Sequence, residues 1–294
     1  MSKSPALLEQ LSAGLTGLVT GVAHSVVGVG WGRSRSSGFV WRPGLIMTAD
    51  ECLSDGGGVS VTLPQGSMVA AQLVGRDPTT DIALLRVERP DLLPVAMGEQ
   101  VKVLVGALVL AVGADDGAPT ASLGVVSRTS GPWRSMRGGE IDARIELDLR
   151  LRPSAEGGLV LNMEGQLIGM AVFGPRRRAL VIPSSTIDRI AGKLESHGRI
   201  PRGYLGLGLQ PVVVEDDKET AAMVMSVDPR GPGSHAGLHQ GDILMTWNGE
   251  RVQGLKLLLR ALGPDSVGQT VTVGVRRAGK VQQVSLMIGE RPST

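Results

Sequence analysis

Aromatic residues are nearly missing from this chain: two Phe, one Tyr and four Trp in 294 residues. A core built on aromatic stacking is thereby excluded, and aliphatic side chains must supply the buried surface. There is a single cysteine, Cys52. No intrachain disulfide and no Cys-based metal cluster can form, which fits a reducing compartment. Lys and Arg number 30 against 28 Asp and Glu, a net charge of +2. That is too small a field to point to nucleic acid. The run Arg176-Arg177-Arg178 reads as a solvated loop tip, because no aromatic stacking platform accompanies it. No run of 18 or more apolar residues occurs, so no spanning helix is expected. The first ten residues lack a charged segment leading into a continuous apolar one. The expectation is a cytoplasmic chain with no membrane span.

What is present is glycine, 42 residues of it, scattered among short Val, Leu and Ile runs. That mixture favours short strands and tight turns. Leu7, Leu8, Leu11, Leu15, Leu18 and Val22 fall at helical spacing in a first segment, 1–24. From Ser25 the pattern changes to about a dozen short strands with turn signals roughly every ten residues. Asn162-Met163-Glu164-Gly165 reads as a hairpin turn. A helix is expected from Pro183-Ser184 to about Ser196, with Ser as its cap. A Gly/Pro break at 197–202 separates this domain, 25–196, from a smaller unit, 203–294. In that unit Asn248-Gly249 marks a turn, Leu255–Leu262 a short helix, and Thr270–Arg276 with Lys280–Ile288 a hairpin.

Four motifs carry a resemblance. Ser36-Ser37-Gly38-Phe39-Val40 is followed by Gly44-Leu45-Ile46-Met47-Thr48. Thr80-Asp81-Ile82-Ala83-Leu84-Leu85 comes next. Then come Arg152-Pro153-Ser154-Ala155-Glu156-Gly157-Gly158-Leu159-Val160-Leu161-Asn162 and Gly165-Gln166-Leu167-Ile168-Gly169-Met170. In order and spacing over 25–192 they resemble the HtrA/Deg branch of trypsin-like serine proteases. The resemblance implies a mainly β fold, a double six-stranded β-barrel with a cleft between the barrels. In that family a serine nucleophile is activated by a histidine, which a carboxylate orients. The matching positions here are Glu156, Glu51 and Asp81. Only the orienting acid is retained, so the expectation is a chain that is not an enzyme, a pseudoprotease without an intact catalytic triad. Ser154 and Cys52 are poor substitutes, Cys52 because an extended segment would turn it away from position 51.

Three carboxylates in one cleft must spread apart, share protons or bind a cation. A Ca²⁺ or Mg²⁺ site and two-carboxylate glycoside hydrolysis are the alternatives. The simplest expectation is that the Glu side chains face water or pair with a nearby Arg, with no metal and no cofactor.

The second unit resembles the PDZ modules, of α+β fold, attached to HtrA/Deg proteases. The residues that carry this are Gly203-Tyr204-Leu205-Gly206-Leu207, then Val224 to Val227, Gly231 to Leu238 and Gly241 to Leu244. The resemblance implies a loop at Tyr204, Leu205, Gly206 and Leu207 that holds a peptide carboxylate. It also implies a strand edge open to β-augmentation and a groove wall bearing Leu255 and Leu259. Partners are then peptide or protein C-termini and unfolded polypeptide, in a chaperone-like, scaffolding or regulatory role. The rival expectations are a working serine endopeptidase and a regulator that senses a metal or anion in the acidic cleft. The family also implies a homotrimer, or a hetero-oligomer with an active paralogue, and members that are commonly extracytoplasmic.

Overall fold

The computed structural model describes residues 4–31, 34–53, 58–97, 102–214, 219–252 and 254–292. By its contacts the chain divides into two units, Met1–Ile200 and Pro201–Thr294.

The first unit opens with helix α1 (Ser4–Val22). Six strands follow: β1 (Val26–Trp31), β2 (Ser34–Arg42), β3 (Leu45–Thr48), β4 (Val59–Thr62), β5 (Met68–Asp77) and β6 (Ile82–Arg86). They close into an antiparallel barrel in the order β1-β2-β3-β6-β5-β4. Strands β7 (Leu108–Asp115) and β8 (Ala118–Ser130) begin a second barrel. A short ribbon interrupts it, β9 (Trp133–Arg134) with β10 (Glu140–Ile141). The barrel then continues through β11 (Arg144–Asp148), β12 (Leu159–Leu161), β13 (Leu167–Phe173) and β14 (Ala179–Pro183). It closes in the order β11-β14-β13-β12-β7-β8. Closure removes the free sheet edges that open sheets must protect. The fold is the expected double barrel.

Each barrel has its own aliphatic filling. Val27, Ile46, Val61 and Leu85 fill the first, and Val109, Val160, Ile168 and Val181 the second. A third cluster joins them. Phe39, Met47 and Leu84 from the first barrel meet Leu110, Leu159 and Ile182 from the second, with helix α2 (Ser184–His197) laid across through Ile187, Ile190 and Leu194. Phe39 has no exposed surface; truncating such a side chain to Ala costs about 3–5 kcal/mol. Trp41 Nε1 donates to Asp188 Oδ1 at 2.9 Å and fixes α2 to β2. The expected serine cap of α2 is corrected. The cap residue is Pro183, without a side-chain bond, and Ser184 already lies in the first turn.

Helix α1 is amphipathic as expected. Leu15, Leu18, Val19 and Val22 pack on the joint core, while Leu7 and Leu8 stay exposed. The stretch Ala6–Ser25 has the length and hydropathy of a membrane-crossing helix by composition alone. This corrects the apolar-run count, which failed because Gly and Thr interrupt the run without making it polar.

The second unit contains β15 (Gly203–Tyr204), β16 (Leu207–Val214), β17 (Glu219–Val227), helix α3 (Pro232–His235), β18 (Ile243–Trp247) and β19 (Glu250–Arg251). Helix α4 (Leu255–Ala261), β20 (Thr270–Arg277), β21 (Lys280–Met287) and β22 (Gly289–Glu290) complete it. Its main sheet runs β16-β17-β18-β20-β21, which leaves β16 at one edge. Ala222, Val224, Leu244, Leu258 and Val273 form its core.

Asp242 is buried in this unit and held by a two-pronged pair with Arg277, Nε to Oδ1 and Nη2 to Oδ2, both at 2.7 Å. The Arg277 guanidinium keeps the carboxyl below the usual range. Asp242→Ala removes one partner of a charge pair, a loss of about 3–5 kcal/mol when both charges are buried. Arg277 keeps about a third of its side chain in water, so we expect about 2 kcal/mol. In calorimetry of the whole chain, the transition of this unit should fall by about 10 °C. An unchanged transition would remove the pair from the account.

Candidate functional site

Glu51, Asp81 and Glu156, the positions expected to match the triad, come together. One oxygen from each of Glu51, Asp81 and Glu156 lies within 4.8 Å of the others. Each is placed by a different local device. Glu51 sits in a 3-10 turn, Asp50–Cys52, after β3. The turn is tied down through the buried Asp50, which pairs with Arg76 Nε, while Arg76 Nη2 donates to Leu53 O at 3.2 Å. Asp81 lies at φ 59, a left-handed conformation that few non-glycine residues adopt. The loop before it is braced by Asp77, whose carboxylate accepts from Thr79 N and Oγ1 and from Thr80 Oγ1. Asp81 Oδ1 then accepts from Glu51 N at 2.8 Å. Glu156 follows the 3-10 turn Pro153–Ala155, and its Oε1 accepts from Phe173 N at 3.2 Å.

Ser37 of β2 sets the backbone of that last loop. Ser37 N donates to Glu156 O at 2.7 Å. Its hydroxyl accepts from Ala114 N at 2.7 Å and donates to Ser154 O at 2.6 Å. Thr48 Oγ1 donates to Ser37 O at 2.7 Å. Gly157, at φ 81, lies so close beneath that a Cβ would stand 2.3 Å from Ser37 O.

Electrostatically this is a crowded acidic pocket. Burial pushes Asp81 up to about 8; the Glu51 amide bond opposes the rise, and the charges of Glu51 and Glu156 add to it. Burial also raises Glu156. Glu51 is half-exposed and pairs with Arg137 Nη2 at 3.4 Å, a surface pair worth under about 1 kcal/mol. Cys52 does not turn away. The 3-10 turn replaces the extended segment and brings the thiol within hydrogen-bond reach of Glu156 and Ser36. Burial, with the Glu156 charge, drives that thiol far above its ordinary range, so it is protonated and a poor nucleophile.

The loop amides are also spoken for. Ala155 N donates to Arg152 O, Glu156 N to Pro153 O, Gly157 N to Ala171 O and Gly158 N to Ala155 O. An oxyanion site needs amides aimed at a substrate oxygen, and these four are directed at main-chain carbonyls. Sequence reasoning missed Ser37, Arg137 and the Phe173 amide. Arg137 and Phe173 lie 86 and 17 residues from their partners in the chain (137 − 51 and 173 − 156), with no local signal to join them.

In the second unit Gly206 is left-handed at φ 69, and a Cβ there would stand 2.8 Å from Gly231 Cα. Strand β16 begins one residue later, at Leu207. Leu205 O accepts from Gly233 N and Gly206 O from Asp228 N. Peptide units are planar and trans, so the N–H groups of Gly206 and Leu207 point the opposite way. Tyr204 is anchored by its hydroxyl to Asp228 Oδ2 at 3.0 Å. The Leu205 side chain is in the core, as is Leu258, whereas Leu255 is half-buried and Leu259 exposed on α4, which lies against β16.

Residues 36–170 match the model of the trypsin-like peptidase domain, and residues 204–288 that of the PDZ domain. This is the HtrA/DegP architecture. The chain is 31% identical to a "Probable periplasmic serine endoprotease DegP-like" of Bartonella henselae, over 86% of itself and 52% of that protein. A protein of the same description in Brucella suis biovar 1 is 32% identical, with 88% and 53% covered. The chain thus spans about half the length of the curated relatives it matches. Among solved structures, the serine endoprotease from Yersinia pestis is 25% identical with a TM-score of 0.72, covering 95% of this chain and 98% of that one. The HtrA-type protease AlgW with decapeptide is 21% identical with a TM-score of 0.72, covering 95% and 99%, and shares the fold.

Two expectations are corrected by these findings. The expectation of a non-enzyme is overturned by relatives named serine endoproteases. The cytoplasmic expectation is overturned by the periplasmic place in the relatives' names; the single cysteine that suggested a reducing compartment is equally compatible with a chain that needs no disulfide.

The raised Asp81 has a consequence for stability. An unfolded Asp loses its proton near pH 3.8, whereas the folded one keeps it to about 8. Between those values the folded state binds more protons, so stability falls as pH rises through that window. Asp81→Asn keeps the acceptor for the Glu51 amide and has no proton to lose. The variant should be more stable than the parent at pH 8, by at least about 1 kcal/mol, with the gap closing towards pH 4. Urea midpoints at the two pH values check this; a pH-independent gap would contradict it.

Proposed function

We propose that the chain works on polypeptides outside the cytoplasm, capturing them by a free C-terminus in its PDZ unit. The observation that carries this reading is the pair of amides at Gly206 and Leu207, turned away from the loop's own anchors beside the edge strand β16. Such amides favour an anionic group, and the edge offers main-chain bonds to an extended peptide. Leu255 and Leu259 on α4 supply an apolar wall for the last side chain.

Peptides with an apolar free C-terminus should bind in the micromolar range, about −8 kcal/mol at 1 μM. Amidation removes a charge-assisted bond worth roughly 1.5–3 kcal/mol, so affinity should drop about tenfold or more. Equal affinities in a fluorescence titration would refute C-terminal reading by this loop.

The names of the relatives favour endoproteolysis as the work of the whole chain. The cleft sets the terms. With carboxylates at 51, 81 and 156, a serine ester is unavailable at position 156. Hydrolysis there would use water held between a protonated and an ionised carboxyl, the acid–base pairing of two-carboxylate sites. Casein cleavage by the purified chain should then resist a fluorophosphonate and fall at least tenfold in Asp81→Asn. Labelling of a serine by that probe, with loss of cleavage, would place the chemistry elsewhere.

A further inference from the structure

The turn between β13 and β14 is the solvated loop tip expected of Arg176-Arg177-Arg178, and it also carries an ion pair. Arg178 leaves it to join a ring of three arginines around one carboxylate. Glu146 of β11 is buried, with 5% of its side chain exposed, and accepts from Arg144 Nε at 2.6 Å. Arg178 Nη1 lies 3.4 Å from its second oxygen and Arg128 Nη1 3.7 Å from its first. The ladder explains the ring. Arg128 on β8 is directly opposite Glu146, and Leu180 on β14 is opposite it on the other side, with Arg178 two residues before. Adjacent strands lie about 5 Å apart. One buried carboxylate therefore draws three guanidinium groups together, and those of Arg128 and Arg178 stay about two-thirds exposed.

The turn extends the row. Arg176 and Arg177 are both left-handed, at φ 58 and 56, a conformation costing roughly 1 kcal/mol or more per non-glycine residue. Arg177 is held over the Phe173 ring at 4.4 Å. Phe173 N in turn donates to Glu156 Oε1, so the row ends at the rim of the acidic cleft. Strands β8, β11 and β14 and this turn carry five arginines against two carboxylates, Glu146 and Asp148.

We propose that this arginine row binds acidic segments of the polypeptides that the chain handles, a reading that rests on the function proposed above. Guanidinium forks match carboxylates in pairs. Same-side residues of an extended peptide recur at about 7 Å, a step between the roughly 5 Å of one strand spacing and the roughly 10 Å of two that separate these arginines. The row borders the cleft, where a bound polypeptide would lie, and a carboxylate-bearing segment complements its charge.

The test is fluorescence anisotropy with the full chain and a labelled twelve-residue peptide of alternating Glu and Ser, amidated so that it bypasses C-terminal capture. The control replaces Glu with Gln. The Glu peptide should bind at least tenfold more tightly at 50 mM salt and weaken severalfold at 200 mM. The double change Arg176→Gly with Arg177→Gly, which suits the left-handed backbone, should cut that affinity at least fivefold, as should Arg128→Ser. Binding of a free C-terminal apolar peptide and the melting temperature should stay unchanged in both variants. Equal binding of Glu and Gln peptides, or no loss in either variant, overturns the row. Preferential binding to phosphatidylglycerol vesicles over the Glu peptide overturns it too, in favour of a lipid surface. If the amidated Glu peptide fails while the C-terminal peptide binds, only the row is lost; the reverse result removes C-terminal capture alone.

Discussion

The first unit depends on one hydroxyl and one amide. Ser37 receives Ala114 N from the second barrel, reaches Ser154 O in the loop and gives its own N–H to Glu156 O. Two closed barrels share few hydrogen bonds, because closure satisfies each ladder internally. A buried polar contact at their seam therefore fixes relative position more firmly than aliphatic packing, which tolerates sliding. Everything that happens in the cleft inherits its geometry from that seam.

Around it the acidic residues are sorted by environment. Asp50 is buried against Arg76 and Asp77 against two threonines, and each serves to hold a turn. Asp81 and Glu156 are partly buried, each accepts from a main-chain amide, and like charges lie nearby, so their protons bind tightly. Glu51 reaches water and Arg137. Three carboxyls within reach of one another thus occupy two different electrostatic situations, which composition alone cannot distinguish.

The sequence was a good guide to elements with a repeating signal. Strand alternation and turn residues gave the many short strands, while the double barrel and the PDZ fold came from the resemblance of the motifs. It failed where the partner was remote or the spacing was broken. Cys52 was misplaced because three residues, Asp50–Cys52, coil rather than extend. The arginine triplet looked idle because the buried Glu146 that organises it is 32 residues away from Arg178 (178 − 146). Activity and location were misjudged for another reason, since both had been argued from what the chain lacks.

Gly157 has a meaning beyond its turn. Its missing side chain is demanded by Ser37 O, Thr48 Oγ1 and Ala49 N, all of them structural atoms of the first barrel. The glycine pair after position 156 is therefore a requirement of assembly, imposed before any substrate arrives. The side chain at 156 itself points out of that constraint. Frame and reagent are independently replaceable parts in this fold, so a scaffold of this kind can exchange its chemistry one residue at a time without being rebuilt.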